Sequence, residues 1–127
     1  MSYVPKSVIV LGGGVIGCEF ASVWKSFGAD VTIIEGLPHL IALEDESSSK
    51  QLERAFRKRG IKFELGVRFQ SATKNADGVT VTLEDGKTFT AEVLMVSVGR
   101  GPVSANLGYE EQGIAMDRGY VLVDDKC

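Results

Sequence analysis

The chain has 127 residues, of which 44% are hydrophobic and 24% charged, and carries a net charge of −3. That length supports one domain with a real core and is short for two, the composition excludes a largely disordered chain, and the charge gives no footing for a polyanion partner. No apolar run approaches the roughly 20 residues of a membrane span, the opening MSYVPK is not a signal peptide, and the two cysteines, Cys18 and Cys127, form neither a CxxC pair nor a metal cluster. A reducing cytoplasm is therefore the expected setting.

Ser7–Leu11 (SVIVL) is a short continuous apolar run, as expected of a strand covered on both faces. Val15–Phe27 reads as a helix. Ile16, Phe20, Val23 and Phe27 line one side at helical spacing, with Gly17, Ala21 and Trp24 beside them, and Val15, Glu19, Ser22 and Ser26 lie on the other; Gly17 and Ala21 are expected to keep the helix–strand seam narrow. Gly28 is the expected cap. Val31–Ile34 (VTII) gives a second strand that ends at Glu35. Strand, helix and strand with such short turns predict a βαβ unit.

Gly36–Glu46 is a loop containing Pro38 and His39, the latter expected to be an exposed loop histidine. A second helix is expected over 48–59, with Leu52, Ala55 and Phe56 inward and the basic Arg54, Arg57, Lys58 and Arg59 at its carbonyl end. Gly60 stops it and 61–65 gives a third strand. The period then changes. Three short β-rich runs at 67–73, 79–83 and 88–90 are separated by Asp77-Gly78 and Asp85-Gly86, which predict an antiparallel meander with a two-residue hairpin at the second pair. Val93–Val98 is again a continuous apolar strand, broken at Gly99-Arg100-Gly101-Pro102. A last strand is possible at 120–123. The fold class expected is α/β: a Rossmann-like three-layer ββα sandwich, its central parallel sheet built from βαβαβ and joined by a three-stranded antiparallel meander.

Gly12, Gly14 and Gly17 fit GxGxxG between a strand and a helix, with an acid closing the next strand. Gly12 allows the sharp turn, Gly14 lets a pyrophosphate approach the backbone, and Gly17 lets helix and strand pack closely. Gly13 has no required role in that pattern. Helix-start amides at Val15 and Ile16 would face the phosphates. Glu35 lies 21 residues beyond Gly14, where a carboxylate accepts both hydroxyls of an adenosine ribose and repels a 2′-phosphate. No arginine follows in 36–39, so NAD is favoured over NADP. Glu19 either is stabilised by the helix start or reaches toward the nicotinamide carboxamide or a second cofactor. Cys18 beside it has a helix-start position that would lower a thiol pKa, yet it lacks a partner thiol and reads as packing. Phe69 covers adenine or sits in the core. Gly99 follows a strand whose carboxyl end should lie near the ligand, and Arg100 is a surface or interface charge. No residue reads as catalytic.

GGGVIGCEF at Gly12–Phe20, the helix ending SVWKSFGADV, Glu35, the strand leading into Gly99-Arg100, and NLGYEEQGI at Asn106–Ile114 together resemble the NAD-binding domain of the dihydrolipoyl dehydrogenases, within the flavoprotein (pyridine nucleotide-disulfide) reductases. The resemblance spans nearly the whole chain. It implies that residues 1–127 are an NAD-binding domain, with 115–127 starting the return to an FAD domain. It further implies a parent that binds FAD and NAD, ends in a dimerisation domain, forms a homodimer and serves 2-oxo acid dehydrogenase complexes. Electrons would pass there from a dihydrolipoyl dithiol to a redox disulfide, to flavin and to NAD. By that pattern Gly12, Gly13, Gly14, Val15, Ile16, Gly17 and Glu19 lie at the pyrophosphate and nicotinamide, Glu35 at the ribose, Phe69 beside adenine and Gly99 at the nicotinamide end. Phe69 replaces a usual valine, and Gly101-Pro102-Val103 departs from the usual GRxPN form. The fragment alone is expected to be inactive. The alternatives are the corresponding domain of another disulfide reductase or of an NADH oxidase, a free-standing NAD-sensing module, and a small dehydrogenase or S-adenosylmethionine-dependent enzyme.

Overall fold

The computed structural model describes residues 2–126, so Met1 and the sequence-noted Cys127 lie outside the described residues. Four parallel strands form the central sheet in the order β3-β2-β1-β7, with β1 Ser7–Leu11, β2 Asp30–Ile34, β3 Lys62–Glu64 and β7 Val93–Val96. Helix α1 (Val15–Ser26) connects β1 to β2, and α2 (Glu46–Lys58) connects β2 to β3. A separate antiparallel sheet, β4 (Phe69–Asn75), β5 (Gly78–Leu83) and β6 (Thr88–Ala91), intervenes before β7. The expected α/β three-layer arrangement is the one present.

Alternation along β1 and β2 builds two cores at once, because successive side chains of a strand point to opposite faces. Val8, Val10, Val31 and Ile33 pack with Cys18, Ala21, Leu40 and Phe56 on the helix side. Ile9, Leu11 and Ile34 pack with Val81, Leu83 and Ala91 on the meander side. Each fully buried aliphatic side chain contributes about 1.5–3 kcal/mol of transfer free energy, which is why β1, buried on both faces, is apolar from Val8 to Leu11.

The narrow seam expected at Gly17 and Ala21 is present: α1 seats Gly17, Cys18 and Ala21 on the sheet, while the stripe Ile16, Phe20, Val23 and Phe27 is exposed. Close packing on a flat sheet favours the small-residue side of a helix that is apolar on two sides. On α2, Phe56 is buried as expected, but Ala55 is exposed and the other buried residues are Ser49 and Glu53. The β5–β6 connection is a three-residue turn rather than a two-residue one: Leu83 N–H donates to the Lys87 carbonyl and Gly86 takes φ +86°. The C-terminal strand is shorter than expected, β9 Tyr120–Val121, and pairs only with β8 Met116–Asp117.

One residue, Glu92, separates β6 from β7 and carries the chain from the meander layer into the parallel sheet. Its N–H donates to Ser7 Oγ (3.1 Å), and its carboxylate accepts the Lys6 N–H (2.9 Å), pinning this corner to the start of β1. Among the described residues no helix is long and apolar enough to cross a membrane, and no cluster of His, Cys, Asp and Glu is suited to a metal.

Candidate functional site

The carboxyl ends of β1, β2 and β7 open into a crevice of about 540 Å³. Gly12, Gly14 and Val15 line it from the glycine turn, Glu35 from the end of β2, Phe69 from the start of β4 and Gly99 from beyond β7. An open parallel sheet places ligands at this end, where adjacent connections leave on opposite sides. Here β1 leads to α1 on one face, while β7 approaches from the meander.

The three fingerprint glycines stand in different surroundings. Gly12 has φ +105°, and a Cβ there would run into the Ser97 carbonyl. A Cβ on Gly17 would overlap the Gly12 carbonyl oxygen, so α1 sits on the turn with no room for a side chain. Gly14 is the opposite case: a Cβ would meet nothing within 4 Å. It is the N-cap of α1, at φ −68° and ψ −178°, with no side chain capping the helix. The first intrahelical bond is Cys18 N–H to the Gly14 carbonyl (3.0 Å), leaving the amides of Val15, Ile16 and Gly17 without intrahelical acceptors. The backbone at Gly14 is therefore bare where donors converge, a geometry that takes an anionic group.

Gly13 has a role that the fingerprint spacing does not express. Its N–H donates to Glu35 Oε2 at 2.5 Å, and a Cβ would come within 2.8 Å of Leu40 Cδ2. Glu35 Oε1 accepts the Leu37 N–H at 2.7 Å. Each carboxylate oxygen thus holds one backbone amide, and an ionised carboxylate with about four lone-pair sites has capacity left for hydroxyl donors. Glu35 ties the end of β2 to the glycine turn while facing the crevice.

Ser97 and Arg68 emerge only from the structure. Ser97 Oγ lies 3.1 Å from both the Leu11 and Gly12 carbonyls and joins β7 to the glycine turn. Arg68, just before Phe69, lines the crevice and brings a positive charge that 36–39 lacks. Both sit at element ends, where neither strand nor helix periodicity assigns a face. Phe69 is 40% exposed and is a crevice residue rather than a core one.

Ile16 and Glu19 are not brought to this crevice. Ile16 is exposed on α1, and Glu19 lines a separate groove between α1 and α2 with Phe20, Phe56 and Arg59. Glu19 also falls just beyond the first turn of α1, which contains no acid, so helix-start stabilisation does not account for it. His39 leaves the crevice as well, its Nδ1 3.3 Å from Glu53 Oε1. Arg59 donates to the Ser22 carbonyl (3.1 Å) and to the Ser22 and Ser26 hydroxyls, so it stitches α2 to α1. The Cys18 thiol lies 3.3 Å from the Gly13 carbonyl. Burial, aided by the Glu35 charge, pushes it up to about 11. Desolvation of the thiolate outweighs the helix-start effect expected from its position.

A parallel sheet of this order with a glycine turn feeding a helix places the chain in the Rossmann-like α/β class. The chain belongs to the pyridine nucleotide-disulphide oxidoreductase family, whose model matches residues 2–127. It is 47% identical over 98% of its length to a dihydrolipoyl dehydrogenase of Cupriavidus necator, covering 27% of that protein. It is 42% identical over 98% of its length to the mitochondrial dihydrolipoyl dehydrogenase of Schizosaccharomyces pombe, covering 25% of it. Among solved structures it superposes on LpdA of Mycobacterium tuberculosis with a TM-score of 0.88 at 32% identity, over 98% of this chain and 27% of that one. The chain thus spans about a quarter of the length of these relatives.

Proposed function

We propose that this chain is the NAD(H)-holding domain of a flavoprotein that oxidises dihydrolipoyl groups through a redox disulfide and FAD. The observation that carries the reading is the pairing, across one crevice, of the open backbone at Gly14 with the Glu35 carboxylate. A diphosphate would lie on the amides that begin α1, the adenosine ribose would donate to Glu35, adenine would rest on Phe69, and the nicotinamide half would extend toward Gly99. When bound, the nicotinamide accepts a hydride; this chain's residues bind and orient it. Gly13 holds Glu35 in place, and the unpaired lone pairs of that carboxylate select ribose hydroxyls over a 2′-phosphate. FAD, the redox disulfide and the dimer surface are assigned to the remaining length of a homodimeric parent serving 2-oxo acid dehydrogenase complexes. The 127-residue chain alone is expected to give no turnover of dihydrolipoamide.

Arg68 favours a second reading, in which the crevice takes NADP. Calorimetric titration of the chain with ADP-ribose, NADH and NADPH separates the two. NADH is expected to bind more tightly than NADPH, and Glu35→Arg to narrow or reverse that preference, because it replaces a repelling charge with an attracting one. NADPH binding the tighter in wild type, with the preference lost in Arg68→Ala, would establish the second reading. Absence of binding by NADH and ADP-ribose alike would remove both.

A further inference from the structure

We infer that Ser49 and Glu53, one turn apart on α2, are positioning residues of the crevice: they hold the loop at 36–45 against the glycine turn and thereby set affinity for the adenosine half of the dinucleotide. This rests on the nucleotide-binding reading above. Both are polar and buried, at 1% and 7% exposure, on the helix face where apolar residues would serve packing alone. Burying a carboxylate is costly unless it is bonded, and Glu53 turns one oxygen to the loop and the other to its own helix. Its Oε1 accepts the Leu40 N–H and faces His39 Nδ1, both at 3.3 Å, while Oε2 takes Arg57 Nη2 at 3.4 Å. Ser49 Oγ donates to the Ile41 carbonyl at 3.3 Å.

The loop passes this restraint directly to the site. Ile41 N–H donates to the Gly13 carbonyl at 2.8 Å, and Leu40, fully buried, fills the space beneath Gly13. Gly13 in turn donates to Glu35. Ile41, with Ala42 and Leu43, forms one wall of the crevice. Ile41 stands at φ +45°, a left-handed conformation that a β-branched residue adopts only when its surroundings impose it. The bonds on either side of it, from Leu40 to Glu53 and from Ser49 to Ile41, are the restraints that do so.

The test titrates the chain and its Ser49→Ala, Glu53→Ala and Glu53→Gln variants with ADP-ribose, beside Gln51→Ala on the exposed face of α2. Melting curves and amide exchange at Leu40, Ile41 and Ile33 accompany each titration. Loss of a neutral hydrogen bond translates to about threefold in affinity and loss of a charge-assisted one to about tenfold, so Ser49→Ala is expected to bind about threefold more weakly and Glu53→Ala about tenfold. Glu53→Gln keeps an oxygen for the Leu40 amide and should recover most of the loss, within about threefold of wild type. Exchange should quicken at Leu40 and Ile41 while Ile33, in the central sheet, stays protected. Wild-type affinity in a folded Glu53→Ala overturns the inference, as does equal weakening in Glu53→Ala and Glu53→Gln with unchanged exchange at Ile41. If Glu53→Ala does not fold, Ser49→Ala decides: wild-type affinity and slow Ile41 exchange there overturn it. A wild-type chain that takes no ADP-ribose overturns the underlying reading instead.

Discussion

At the scale of single residues, Gly14 and Gly17 separate binding from folding. A methyl at Gly17 collides with the Gly12 carbonyl, whereas one at Gly14 enters open space. Gly17→Ala is therefore expected to lower stability by about 1–3 kcal/mol, as overpacking does, seen as a fall in melting temperature. Gly14→Ala should cost less than about 1 kcal/mol at an N-cap with ordinary φ, yet weaken ADP-ribose binding by about tenfold, the affinity equivalent of 1.4 kcal/mol. Unchanged binding in Gly14→Ala would mean that no phosphate lies on that backbone. These two glycines were legible from spacing because each answers to a general rule about strand-to-helix turns. Gly13 was not, since its constraint comes from Leu40 and Glu35, more than twenty residues away along the chain.

At the scale of elements, α1 shows why a helix with two apolar sides presents its small residues to the sheet. Its boundaries agree with the apolar period to within a residue, but two apolar sides compete for the sheet. Side-chain size alone would favour Ile16, Phe20, Val23 and Phe27, whereas close approach selects Gly17, Cys18 and Ala21, as the narrow seam expected at Gly17 and Ala21 implies. Sequence periodicity reports which residues are apolar; it does not report how near the neighbouring layer stands. Phe20→Ser is accordingly expected to change stability by no more than about 0.5 kcal/mol, while Ala21→Leu, on the seated side, should cost about 1–3 kcal/mol. Chemical denaturation of both variants checks the assignment, and the reverse ranking would restore the larger stripe to the core. The buried pair on α2 was illegible for the opposite reason: Ser49 and Glu53 are polar, and only the loop folded over them gives burial a purpose.

At the scale of the whole molecule, the parallel sheet has two client layers, and β1 serves both through alternate side chains. The corner at Glu92 must therefore deliver β7 with Leu94 toward the meander and Val93 and Met95 toward the helices. A residue inserted between Glu92 and Val93 would exchange those faces, because a strand's period is two. It is expected to abolish a cooperative melt. The same insertion at the exposed Ala76–Asp77 turn should leave melting nearly unchanged, since loop tips absorb added length. Equal tolerance at both places would show that β7 is not held in phase. Ser97 stands five positions downstream of the corner, gripping the glycine turn. A frame error in that bend would thus surface as a misshapen crevice mouth. The exposed positions of the meander are free to drift in sequence, provided that Val81, Leu83 and Ala91 stay apolar and that the residue after them returns the chain on the correct beat.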